Sequence, residues 1–501
     1  MMSMAPITIL MVLLGGGGND LLDFVPTEAF WKSQEVEVTT AKLLGELKSA
    51  EAADASKLIK QLGASQQADR EQAQRKLEAM GPGVLPQLRK AAKSPDAEVA
   101  MRIDSLIASL SKKGAARTAR RLMAIRTLGE RKDREALPAL RKLLKSKAVF
   151  EAEYAAAAIA GIEGKPFKRT GASGKAMASD LWLLPGNCAA VGQVRLTPGK
   201  PISVEQVAKK LAPMMPEGGA EAALATVNEV IISLAVQLGN IRLEGVTFGV
   251  ADDVGNGSGY VVFVVRGLYD PAAVRSIMIN RLRLESEKMG GLELFRVQGN
   301  AAVILASKDR FIFLAGPSRD KLPIQEMAAA LKSGKGKLAD NKPMAKLIKS
   351  ADRSGPIWAA CCISETYRQS SLLAPLRTLT LTAKRRPKEL HLTLSAIGTD
   401  VEKVAAAVKE FNGHMAKGRE ELARAAERMP MLKPMAEFIG SIKATAKGAN
   451  ATVTARLPGE PTMLMGMPAM LWTSSRAEAV RREEALKEAQ GAVRPVPAPA
   501  P

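Results

Sequence analysis

Histidine occurs only twice in 501 residues, at His391 and His414, and cysteine three times, at Cys188, Cys361 and Cys362. Two histidines leave no room for a multi-histidine metal centre. Three cysteines without CxxC or Cys/His spacing make neither a zinc site nor a disulfide framework. The cysteines read as small core residues, with adjacent Cys361 and Cys362 on opposite faces if they lie on a strand. Aromatic residues are 4% of the chain, and no tyrosine or tryptophan is interleaved in the basic stretches, so a base-stacking platform for single-stranded nucleic acid is not expected. No apolar run reaches bilayer-spanning length: Ile7–Leu14 is too short, and Leu464–Trp472 is interrupted by Gly466 and Pro468.

Motifs for chemistry are missing as well. Neither GxSxG nor HExxH occurs, and no GK pair has the flanking glycine and Ser/Thr of a phosphate-binding loop. Gly255, Gly257 and Gly259 lie between two apolar runs, where a hairpin turn explains them, as it does Asp252 and Asp253. His391 and His414 stand among polar residues and read as solvent-facing. The expectation is a protein that is not an enzyme, with no catalytic residue, cofactor or metal.

What is present is charge, helix and strand. There are 72 Lys and Arg against 51 Asp and Glu, a formal charge of +21, which favours anionic partners without choosing among them. Hydrophobic residues at 47% and charged residues at 25% give a globular balance, and the length calls for more than one domain. Ile7–Leu14, followed by Gly15–Gly18, has the length of a signal-peptide core, although no basic residue precedes it and no A-x-A site follows. Residues 1–20 are therefore read as a leader, with an envelope, periplasmic or secreted location. A cytoplasmic protein with a packed N-terminal segment is the alternative. Asp20–Trp31, acidic and apolar, reads as a piece that packs on a later domain.

LPQLRKAAKS at Leu85–Ser94 recurs as LPALRKLLKS at Leu137–Ser146, 52 residues later. Each copy follows a helical stretch ending at a glycine (Gly81, Gly129) and precedes another helical stretch. Apolar positions such as Val99, Ile103, Leu106, Ile107 and Leu110 recur at helical spacing. This pattern resembles HEAT or HEAT-like repeats over residues 57–163, a family that implies a binding scaffold and brings no catalytic residues. The offset exceeds the usual HEAT period, so an inserted turn or extra helix is expected near Ser111–Thr118.

Residues 164–179 read as a linker. Beyond it the period changes to that of strands, with intervening helices at Ser203–Leu211, Ala220–Leu238, Pro271–Lys288, Leu322–Ser333 and Val401–Glu427. Asp270 and Asp400 each end a strand and can cap the helix that follows. The two junctions suggest two related halves. The expected fold is thus α+β and multidomain: a short HEAT-like α-solenoid (40–163), the linker, then an antiparallel-sheet α+β domain in halves 180–335 and 336–458, and a charged helix with a Pro/Ala tail (459–501). This layout is similar to that of bacterial envelope-associated HEAT-repeat proteins.

Between Arg102 and Lys147 stand 14 basic against four acidic residues. Arg117, Arg120, Arg121, Arg126, Arg131, Lys132, Arg134, Arg141 and Lys142 are the candidate anion- or partner-binding residues, provided that they share a face. The function expected is interaction: a non-catalytic scaffold that binds a protein or envelope-surface partner through its repeats. The alternative is nucleic-acid binding through the basic face. No integral membrane span is expected.

Overall fold

The structure, a computed structural model, describes residues 20–458 apart from 49–53, 93, 168–173, 197–204, 206–218, 252–258, 290, 298–299, 308, 366–367, 369–370, 387–388 and 429–432. The leader, the Ser203–Leu211 helix save Glu205, the 252–258 hairpin and the 459–501 tail lie outside the described residues, or nearly so. The chain is α+β and multidomain, helical in its N-terminal part and built on one large antiparallel sheet in its C-terminal part.

The helical part contains α1 (Thr27–Ser33), α2 (Thr40–Glu46), α3 (Ser56–Gln61), α4 (Gln67–Met80), α5 (Leu85–Ala91), α6 (Ala97–Glu130), α7 (Leu137–Leu143) and α8 (Val149–Glu163). Thr39 caps α2 through Lys42 N, and Asp96 caps α6 through the amides of Glu98 and Val99. In both LPxL copies the proline falls in the first helical turn, where its missing N–H costs nothing. No turn interrupts Ser111–Thr118: α6 runs unbroken for 34 residues. The expected insertion is replaced by a fused helix, because Gly114 alone costs only about 1 kcal/mol in a helix interior. The front of α6 (Ile103, Leu106, Leu110) packs with α3, α4 and α5, and its rear (Leu122, Met123, Ile125, Leu128) with α7, α8 and the N-terminal arm. At the rear, Gly129 lets α6 approach α8 closely. A Cβ there would stand 2.7 Å from Ala158 Cα.

From residue 174 the expected linker is already helical, as α9 (Gly174–Leu181). There follow β1 (Cys188–Arg195), α10 (Gly219–Leu238), β2 (Arg242–Ala251), β3 (Val261–Leu268), α11 (Pro271–Ser276), β4 (Glu285–Met289), β5 (Leu292–Val297), β6 (Ala301–Ser307), β7 (Arg310–Ala315), α12 (Ile324–Ser333), α13 (Lys342–Ser350), β8 (Ile357–Cys362), β9 (Leu376–Arg386), β10 (Glu389–Gly398), α14 (Val401–Arg428), α15 (Lys433–Ser441), β11 (Lys443–Lys447) and β12 (Asn450–Pro458). Asp270 accepts from Ala272 N and Asp400 from Lys403 N, as their positions predict. The helix expected to run from Pro271 to Lys288 is cut short, and Glu285–Met289 instead forms an edge strand paired with β5. Its charged side chains suit an edge, and Glu287 pairs with Arg296 at 2.7 Å.

The twelve strands form one sheet in the order β11-β12-β10-β9-β8-β1-β2-β3-β7-β6-β5-β4. Antiparallel β1 and β8 join at its middle. Counted outward from that seam, β1-β2-β3-β7-β6 and β8-β9-β10-β12-β11 follow one plan: three strands in chain order, then a hairpin whose second strand pairs with the third. One sheet face over β1–β8 is covered by α9, α12 and α13, with Trp358, Val262, Val264, Ile312 and Leu314 beneath them.

Candidate functional site

The nine basic residues predicted from sequence do not form one free face. Arg117 donates to Lys48 O, and Arg120 pairs with Glu46. Arg121 is buried and pairs with Glu151 at 2.7 Å. Arg126 donates to Leu22 O, Val25 O and Glu130, while Arg131 reaches Val38 O and Asp133. Arg141 pairs with Glu163. Lys132, Arg134 and Lys142 are exposed and have no acceptor among the described residues. Most of this basic stretch therefore binds the protein's own N-terminal arm and helix ends.

The arm itself is a joint. Asp20 forms a bridge with Arg242, at the start of β2, and Leu21 N donates to Ile241 O at 2.9 Å. The Arg242 guanidinium, 1% exposed, contacts Asp20 Oδ1 and Glu153 Oε2 of α8, each at 2.5 Å, and lies 5.4 Å from the Phe150 ring centroid. Burial opposes its charge, but the hydrogen bonds it donates to Asp20 and Glu153, together with their negative charges, outweigh burial and move its pKa upward. Arg126 holds the arm from α6, Tyr154 reaches Asp23, and Trp31 Nε1 donates to Thr127 Oγ1. The arm thus packs on the later domain, as its apolar text predicts.

The more extensive surface is the other face of the sheet. Strand registers align Ala444, Val453, Leu394, Leu381, Ala359, Gly192, Phe248, Phe263, Phe313, Val303 and Phe295 in one row across every strand but β4. Neighbouring positions two residues along each strand share that face. They give a second apolar row through Ala396, Leu379, Cys361, Ala190, Val250 and Val261. Gly192 has no side chain because the Phe248 ring lies over it, and a Cβ would meet Cζ at 2.5 Å. At one end of the face α14 and α15 pack through Val404 and Phe438. At the other end Phe311 joins the core of the helical part. Between them Leu394, Leu381, Phe248, Phe263 and Phe313 are half-buried and belong to no buried cluster of described residues.

No protein-family model matches this chain, and no curated protein matches it. Solved structures of TP0453 in crystal forms III, IV and I are distantly similar. They share 11% identity with TM-scores of 0.31–0.32, covering 57–58% of this chain and 95–96% of TP0453. Likeness at that level is too weak to establish a shared fold.

The remaining reactive groups are tied up or inert. Burial pushes the Cys188 thiol up to about 12, so it stays protonated at neutral pH. Adjacent Cys361 and Cys362 fall on opposite sheet faces. His391 contacts Glu389 and His414 lies 3.6 Å from Glu410. Among the described residues no group of three or more His, Cys, Asp or Glu is placed to hold a metal ion, and no helix is long and apolar enough to cross a membrane. Sequence reasoning missed the apolar row because it exists only in the register: no single strand displays it.

Proposed function

We propose that this chain is a non-catalytic interaction protein that binds a protein or envelope-surface partner. The observation that carries the reading is the apolar sheet face, whose central side chains are half-buried and outside every described core cluster. A row of partly exposed apolar side chains that no described element packs against is what a partner's apolar side chains can cover. The helical units, read as HEAT-like, contribute a charged contact region beside it. The alternative, nucleic acid on the basic helices, would have to act through Lys132, Arg134, Lys142 and the lysines that follow, since six of the nine cations are held internally.

The apolar dye Nile red tests the surface directly. The intact protein is expected to bind the dye and raise its fluorescence, and Phe263→Asp with Phe313→Asp to lower that signal several-fold without loss of helix content. Thr393→Asp, on the opposite, hydroxyl-bearing face, is expected to change nothing. Equal signals from all variants, or no binding by the parent protein, would overturn the reading.

A further inference from the structure

We propose that the turn between α7 and α8 docks the protein on an anionic lipid bilayer; this deepens the interaction reading by naming one partner surface. Leu144 and Val149 flank the turn and are 46% and 49% exposed, two of the few large apolar side chains on the protein's surface and the two that stand together at one helix–helix turn. Lys142, Lys145 and Lys147 surround them, all exposed and without an acceptor among the described residues. The nearby carboxylates are already engaged. Glu151 is taken by buried Arg121 and by Ser146 Oγ at 2.8 Å, and Glu163 by Arg141 and Lys165. The lysines are left unopposed because internal pairs use up the local negative charge.

A turn between two helices is convex, so it offers no groove for a peptide. Nucleic acid would complement the lysines but leave Leu144 and Val149 in water. A bilayer supplies anionic headgroups and hydrocarbon together, in no fixed geometry, which matches cations ringing two projecting apolar side chains. Each lysine near such a surface contributes about a fivefold gain in partitioning, fading within a Debye length.

The test is co-sedimentation of the full chain with vesicles of phosphatidylcholine and phosphatidylglycerol (about three to one, an anionic surface in the sense of) and with phosphatidylcholine alone. Binding to the anionic vesicles only is expected. Lys142→Glu/Lys145→Glu/Lys147→Glu should lower it by roughly a hundredfold or more. Leu144→Ser/Val149→Ser should weaken it while leaving its salt dependence intact. All five positions are exposed, and a thermal melt confirms that the variants fold. No binding by the parent protein, or equal binding by the lysine variant, overturns the proposal. So does binding of a duplex DNA probe through these lysines in the absence of vesicle binding. Nile red binding at the sheet face does not depend on this turn, so a failure here and a failure of the interaction reading give different results.

Discussion

Arg242→Ala is expected to destabilise the protein by about 3–5 kcal/mol, the usual cost of leaving a buried charge without its partner. Asp20 is 0% exposed and Arg242 1%, so the carboxylate that loses this cation has no access to water where it stands. Glu153 loses the same cation, and the Phe150 ring its guanidinium neighbour. The damage should be local in origin. Hydrogen exchange is expected to accelerate first in residues 20–31 and α8, with the β8–β10 amides following only on global unfolding. Replacing both partners by apolar residues, Asp20→Leu with Arg242→Met, should restore much of the loss, because removing both charges also removes their desolvation cost. A double variant no more stable than Arg242→Ala would show that the ion pair is not what joins arm to sheet.

Trp358→Ala is expected to cost a similar amount, about 3–5 kcal/mol, through the cavity it leaves. Trp358 is 0% exposed on the helix-covered face of β8, at the seam with β1. Its indole N–H donates to Gln193 Oε1 at 3.1 Å, and Gln193 in turn donates to Thr247 Oγ1 at 3.0 Å and to Met177 O. The network therefore ties β8, β1, β2 and α9 at the middle of the sheet. Trp358→Phe keeps most of the volume and loses the hydrogen bond. Its cost should be nearer 1–3 kcal/mol, that of an unsatisfied buried acceptor. Urea unfolding of the two variants separates packing from polar terms. Equal midpoints for Trp358→Phe and Trp358→Ala would assign the whole effect to the hydrogen bond.

Much of the helical part was legible because its signals are local. The LPxL copies place proline where a helix can begin, and Asp270 and Asp400 announce their helices through backbone amides only two or three residues away. The inserted turn or extra helix expected at Ser111–Thr118 rests on a repeat length, a non-local argument. The local chemistry, one glycine and no proline, favoured the unbroken helix that is present. β4 was misread as helix because Glu and Lys favour helices, and only its pairing with β5 makes it a strand. β1 and β8 carry little strand signal, since CAAVGQVR and IWAACC are rich in small residues. Those residues allow close packing beside the seam, as Gly192 of β1 beneath Phe248 of β2 shows. Charge counting located the basic stretch but not its direction: Arg121 and Arg126 face the protein's own carboxylates and carbonyls.

Photo-crosslinking from a benzoylphenylalanine at position 263, compared with one at position 393, most directly tests the claim that the apolar sheet face is where partners bind. Both positions lie on central strands of the same sheet, on opposite faces. In native cell material, position 263 is predicted to give a discrete adduct that disappears when Leu381→Glu is added to the same chain, and position 393 to give none. Adducts of equal yield from both positions, or from 393 alone, would contradict the account.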